Sequence, residues 1–179
     1  MSGADSAAPG AAASGAPRPH ADVLIALGTN LGDRGKNLEH AIELLRGSVD
    51  IDARSRIYNT EPVGLRDQPD FWNMVVRGRT TLEPLPLLHV LKQIEAELGR
   101  TAAPRNAPRI IDLDLIAWDT RVFSNETITI PHPRMHERSF VLLPLREVAP
   151  GFRHPLTGQS VDQMIAALVE PTRATVVEE

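Results

Sequence analysis

The chain predicts an α+β fold: a ferredoxin-like βαββαβ core with an antiparallel sheet, helices packed on that sheet, and a C-terminal extension. Three observations carry this expectation. An uninterrupted apolar run, Val23 to Leu27, ends at Gly28 and reads as a strand buried on both faces. Two later stretches repeat apolar residues at helical spacing, and segments with strand patterning stand between and beyond them. In order these six elements are β-α-β-β-α-β.

Each element has its own signal. Asp33 is placed to cap a helix over Lys36 to Arg46, with Leu38, Ala41, Ile42 and Leu45 on one face. Val49, Ile51, Ala53, Ser55 and Ile57 alternate with more polar residues and predict a strand. Pro62, Gly64 and Pro69 make Thr60 to Pro69 a loop. A strand over Phe71 to Thr81 follows. Leu87, Leu91, Ile94 and Leu98 mark an amphipathic helix from Pro84 to Leu98, stopped by Gly99. Ile110 to Trp118 is the fourth strand, with Ile111, Leu113, Leu115 and Ala117 expected on the core side. A short strand at Thr127 to Ile130 and helices near His136 to Leu145 and Ser160 to Leu168 extend and cover the sheet.

Length and composition bound the function. A chain of 179 residues, 42% hydrophobic and 23% charged, is one soluble domain with one real core. A net charge of −4 argues against a broad nucleic-acid face, and no apolar run is long enough to cross a bilayer. With no cysteine there is no disulfide, thiolate metal site or cysteine nucleophile. Residues 1–21 are mostly Ala, Gly, Pro and Ser, which predicts a disordered tail. They lack the basic start and apolar core of a secretory signal, so the expected location is the cytoplasm. The domain is expected over 22–170, with 171–179 frayed.

The sharpest chemical signal is Asp112-Leu113-Asp114. Period-two alternation sends both carboxylates to the same face of the strand, where their mutual repulsion suits a divalent cation such as Mg²⁺. The spacing alone fits an exposed strand face with two solvated aspartates as well. Arg100, Arg105 and Arg109 precede the strand, and Pro131-His132-Pro133-Arg134-Met135-His136-Glu137-Arg138 follows it. Carboxylates among arginines and histidines fit a metal–polyphosphate site. His132 and His136 are not on one regular helix, which disfavours zinc. Gly28-Thr29-Asn30-Leu31-Gly32 is either an anion-binding turn or a tight strand–helix connection. Phe71, Phe140 and Asn73, with the loop from Thr60, could form a flat slot for a planar heterocycle, and they fit ordinary core packing equally.

Five segments in order resemble the 6-hydroxymethyl-7,8-dihydropterin pyrophosphokinase family of folate biosynthesis. They are Gly28 to Arg34, Tyr58 to Gly64, Asp67 to Asn73, Ile94 to Arg100 leading to Pro108-Arg109-Ile110-Ile111-Asp112-Leu113-Asp114, and Ile130 to Phe140. The resemblance implies transfer of pyrophosphate from ATP to the pterin hydroxymethyl group, with release of AMP. It implies that Asp112 and Asp114 hold two Mg²⁺ ions, and that Arg109, His132 and Arg138 contact phosphate. Glu95 and Arg100, with the backbone at Ile128 and Thr129, are implied to be on the nucleotide side, and Arg105 is the expected substitute there for the basic residue that Ala102 replaces. Thr60, Pro62, Val63, Gly64, Phe71, Asn73 and Phe140 are implied to form the pterin pocket. A monomer is implied, with small-molecule substrates and no nucleic-acid or membrane partner. Three positions depart from many members: Ala102 where a second basic residue is common, Arg105-Asn106-Ala107 in place of Arg-Trp-Gly, and Pro133 where tyrosine is common. Two alternatives stay open from the residues: a binding module without catalysis, and a Mg²⁺-dependent phosphodiesterase.

Overall fold

A computed structural model of the chain describes residues 20–104, 106–169 and 173–178. The expected disorder of the N-terminal tail falls, for residues 1–19, outside the described residues.

The first strand, β1 (Ala21–Thr29), leads to helix α1 (Arg34–Leu45), which Asp33 caps through a bond from the Lys36 N–H. Strands β2 (Asp50–Arg54) and β3 (Tyr58–Thr60) come next, then β4 (Phe71–Thr80) and helix α2 (Pro84–Glu97). Strand β5 (Asp112–Trp118) is followed by the hairpin β6 (Phe123–Ser124) and β7 (Thr129–Ile130). A 3-10 turn at Met135–Glu137 leads into α3 (Ser139–Val148), then α4 (Val161–Ala166) and β8 (Ala174–Val176).

The described residues form a six-stranded sheet in the order β5-β1-β4-β3-β8, with β2 also paired to β4. Every pairing in it is antiparallel. Along β1, successive residues go to opposite cores. Val23, Ile25 and Leu27 pack with α1 and α2, while Leu24 packs with α3 and α4. This is why the run is apolar without alternation: the strand is covered on both faces. The stripe of Leu38, Ala41, Ile42 and Leu45 is buried as its spacing requires, as are Leu87, Leu91 and Ile94.

Four expectations need correction. The single strand expected over Val49 to Ile57 is two short ones. Ser55 interrupts it, because its Oγ takes the Val75 N–H at 3.0 Å in place of a backbone partner. The strand continues as β3, into the start of what reads as a loop. On β5 the pairing with β1 shifts between Leu24 and Ile25, so Ile116 is an extra residue. The phase flips there, and Ala117 packs with α3 and α4 rather than with Leu113 and Leu115. Ala21, expected to belong to the disordered tail, is already in β1, opposite Thr80. The C-terminus expected to fray instead supplies β8, which adds to β3 at the sheet edge.

Candidate active site

The site lies where β1, β4 and β5 present one end of the sheet to the loops 61–70 and 100–109. Leu113 and Leu115 face the α1/α2 core, so Asp112 and Asp114 project together on the other face of β5. The two carboxylates form part of the wall of two adjoining cavities.

One cavity is apolar and aromatic. Phe71 and Phe140 line it, with Thr60, Asn73, Val63, Glu61 and the backbone of Gly28. Asn73 is buried and donates from Nδ2 to Thr60 Oγ1 at 2.7 Å, which fixes the orientation of its carboxamide. Gly28 sits opposite Asn73, and a Cβ there would lie 2.9 Å from Asn73 Oδ1, so the close approach needs glycine. Guanidinium groups stand over both rings: Arg109 is 5.7 Å from the Phe71 centroid and Arg138 is 5.6 Å from that of Phe140.

The other cavity is cationic. Arg100, His132 and Lys92 line it, with the loop residues Thr101, Ala103, Pro104, Ala107 and Pro108. Asn106, Arg109, Asp112, Asp114 and Arg138 belong to both cavities and form the wall between them.

A chain of charge runs beneath this wall. Arg100 Nη1 lies 2.5 Å from Asp112 Oδ1 and 2.5 Å from Glu95 Oε1, and Arg109 Nη1 donates to Asp112 Oδ2 at 2.6 Å. Glu95 is 3% exposed and accepts the Leu113 N–H at 2.7 Å and Lys92 Nζ at 2.8 Å. Arg138 Nη1 stands 3.7 Å from Asp114 Oδ2. Burial works against ionisation of Asp112, but the charges of Arg109 and Arg100 outweigh it and hold the carboxyl below its ordinary range. His132 is held below the usual imidazole value, by burial first; Asp114 pulls it up and Arg138 pushes it down. Its Nδ1 accepts the Arg134 N–H, and the His132 backbone N–H donates to the Ile116 carbonyl, which ties this segment to β5.

The donor set suits a hard cation. Both carboxylates open to the cavities and bring oxygen alone. Among the described residues no group of three or more His, Asp or Glu side chains gathers. The protein therefore offers two carboxylates and leaves the remaining positions to water and phosphate oxygen, which is the way magnesium is usually held.

Most of the expected residues come together here: Asp112, Asp114, Arg109, Arg138, His132, Arg100, Thr60, Val63, Phe71, Asn73 and Phe140. Glu95 lies behind Arg100. Pro62 and Gly64 share the loop of Val63 without lining either cavity. Ile128 and Thr129 sit on the β6–β7 hairpin, also outside both linings. There the Ile128 N–H and carbonyl are both taken by Asn125. Arg105 lies outside the described residues. Sequence reasoning missed Lys92 and Asn106 as wall residues. Lys92 had a signal, since it precedes Glu95 by three positions on α2 and so shares its face.

A family model described as 7,8-dihydro-6-hydroxymethylpterin-pyrophosphokinase (HPPK) matches residues 24–150. The 2-amino-4-hydroxy-6-hydroxymethyldihydropteridine pyrophosphokinase of Bacillus subtilis is 44% identical over 143 residues, covering 79% of this chain and 86% of that protein. The folic acid synthesis protein FOL1 of Dictyostelium discoideum is 39% identical over 142 residues. That match covers 79% of this chain but 22% of FOL1, so this chain corresponds to about a fifth of that longer relative. Among solved structures, HPPK-DHPS in complex with substrates superposes with a TM-score of 0.67 at 17% identity. It covers 83% of this chain and 43% of the other, which is a likeness of fold.

Proposed function

We infer the reaction from one premise: the chain belongs to the 7,8-dihydro-6-hydroxymethylpterin-pyrophosphokinase family. It is an ATP-dependent pyrophosphotransferase of folate synthesis, moving the pyrophosphoryl group of ATP to 6-hydroxymethyl-7,8-dihydropterin and releasing AMP. The observation that carries this reading is the shared wall. A slot fit for a flat heterocycle and a cationic cavity fit for a triphosphate meet at two carboxylates and two arginines.

That geometry supports a role for each group. Phe71 and Phe140 offer apolar ring faces to the pterin, and Asn73, held by Thr60, offers it a fixed hydrogen-bonding edge. Arg100, Arg109, His132 and Arg138 bind and orient the phosphates, replacing water with fixed cationic donors. Asp112 and Asp114 would hold two Mg²⁺ ions. When bound, these supply charge neutralisation and alignment of the phosphate oxygens. The hydroxymethyl oxygen, delivered from the aromatic side, reaches the β-phosphorus across the shared wall. The new O–P bond forms as the bond from the β-phosphorus to the α-phosphate's bridging oxygen breaks, the hydroxyl proton is lost to water, and AMP leaves on the cationic side with the bridging oxygen. Both cavities are built from one chain, which supports a monomer as the working unit. No helix among the described residues is long and apolar enough to cross a membrane.

The test is AMP release from ATP and Mg²⁺ with and without the pterin. Release only when pterin is present is expected. Asp112→Asn should lower turnover by at least about 10²–10³-fold while the protein stays folded. AMP release independent of pterin, cleavage of nucleic acid, or near-normal turnover in the variant would count against the reading.

A further inference from the structure

The loops 61–70 and 100–109 carry the outer walls of the two cavities, and what joins them is polar. Gln68 Nε2 donates to the Leu65 carbonyl at 2.6 Å, within its own loop, and to the Asn106 carbonyl at 2.9 Å, in the other. Gln68 Oε1 accepts Asn30 Nδ2 at 2.9 Å. Asn30, 2% exposed at the end of β1, donates also to the Pro69 carbonyl at 2.9 Å. Its Oδ1 accepts the Arg109 N–H at 2.8 Å, and its own N–H donates to the Arg109 carbonyl at 3.1 Å. One buried carboxamide thus holds both loops to the sheet, and a second bridges them.

The far end of the bridge is equally specific. Asn106 lines both cavities at a φ of 64°, a left-handed conformation that asparagine tolerates better than most side chains. Gly64, at φ 89°, lies against it, where a Cβ would come within 2.7 Å of Asn106 Nδ2. Neither position accepts an ordinary residue without moving the junction.

We propose that Gln68, anchored by Asn30 and reaching Asn106, is a positioning residue that latches the pterin-side loop to the nucleotide-side loop, so that filling one cavity orders the wall of the other. The identity of the two ligands rests on the proposed function; the latch does not. Ordering a loop costs conformational entropy. A ligand that orders one latched loop lowers that cost for its neighbour, and the coupling is reciprocal.

Two measurements on the full chain test it. Without ligand, amide hydrogen exchange in segments 64–69 and 106–109 should be about five- to tenfold faster in Gln68→Ala, with β4 amides unchanged. By calorimetry, a non-hydrolysable ATP analogue with Mg²⁺ should tighten pterin binding to the wild-type chain. That tightening should fall about five- to tenfold in Gln68→Ala, while the Kd for the analogue alone moves less than about threefold. Gln68→Glu keeps the acceptor for Asn30 but cannot donate to Leu65 and Asn106, and should show the same loss. Wild-type exchange rates, or an undiminished tightening, in these variants would overturn the latch. If the wild-type chain binds neither ligand, the functional reading fails, and the exchange measurement still decides the latch.

Discussion

Glu95 shows how a residue far from solvent supports others that line the cavities. Its carboxylate receives the Leu113 N–H, Lys92 and Arg100, and Arg100 in turn grips Asp112. Glu95→Leu leaves the buried Leu113 N–H with no acceptor and removes one of the two carboxylates that pair with Arg100. A loss of about 3–5 kcal/mol is expected, read as a fall in Tm of roughly 10 °C at this chain length. Glu95→Gln keeps an acceptor and should cost about 1 kcal/mol, with weaker nucleotide binding as Arg100 loses its anchor. Thermal melts of the two variants check this, and equal melting points would reject it. The resemblance assigned Glu95 to the nucleotide side, but its burial was not legible: a carboxylate next to Ile94 gives no local sign that a strand amide and two cations converge on it. Asp112 and Asp114 were legible, because strand alternation alone puts them on one face.

At the scale of elements, the positions that shape the slot proposed for the pterin are set by strand register. Gly28 on β1 faces Asn73 on β4, and Asn73 reaches Thr60 at the end of β3. Gly28→Ala would place a methyl 2.9 Å from Asn73 Oδ1 and displace the carboxamide from Thr60. The pterin KM should rise roughly three- to tenfold, the worth of one hydrogen bond, with the ATP KM unchanged. Steady-state kinetics with each substrate varied in turn decide it, and an unchanged pterin KM would exclude the register argument. Elements with strong local periodicity were readable. Helices α1 and α2 lie within two residues of their expected ends, since Leu38, Ala41, Ile42 and Leu45, or Leu87, Leu91 and Ile94, mark one face. What escaped depends on distant partners. The β5 bulge is visible only in its pairing with β1. The break at Ser55 exists because Val75 is opposite it. The strand β8 has three residues and no reason to be extended apart from the open edge of β3.

Across the whole molecule, the C-terminal segments close what the elements from β1 to β5 leave open. His154, 4% exposed, stands edge-on to His136 at 5.9 Å, and its Nδ1 accepts the Leu156 N–H. Burial first, and then the neighbouring His136, holds its pKa below the ordinary 6.5. The unfolded chain therefore binds the proton more readily, so this contribution is complete above pH 6.5 and is lost as pH falls from there through the folded value. His154→Gln should flatten the fall in Tm between pH 7.5 and about 5.5; a slope equal to wild type would exclude His154 as its source. The strand β8 closes the sheet beyond β3, where Tyr58, Asn59 and Thr60 face Val176, Thr175 and Ala174, and the Val177 N–H donates to Ile57. A chain ending at Val169 would leave β3, three residues long, as a bare edge. Its ladder bonds would pass to water, and Tyr58 would gain exposure. Because Thr60 both belongs to that ladder and accepts from Asn73, the loss should reach the aromatic slot and spare the cationic cavity, which β3 does not line. The truncated chain should melt several degrees lower, at roughly 2–4 °C per kcal/mol lost, with a raised pterin KM and an unchanged ATP KM. A truncated enzyme with both constants and its Tm intact would show that β8 has no part in supporting the slot.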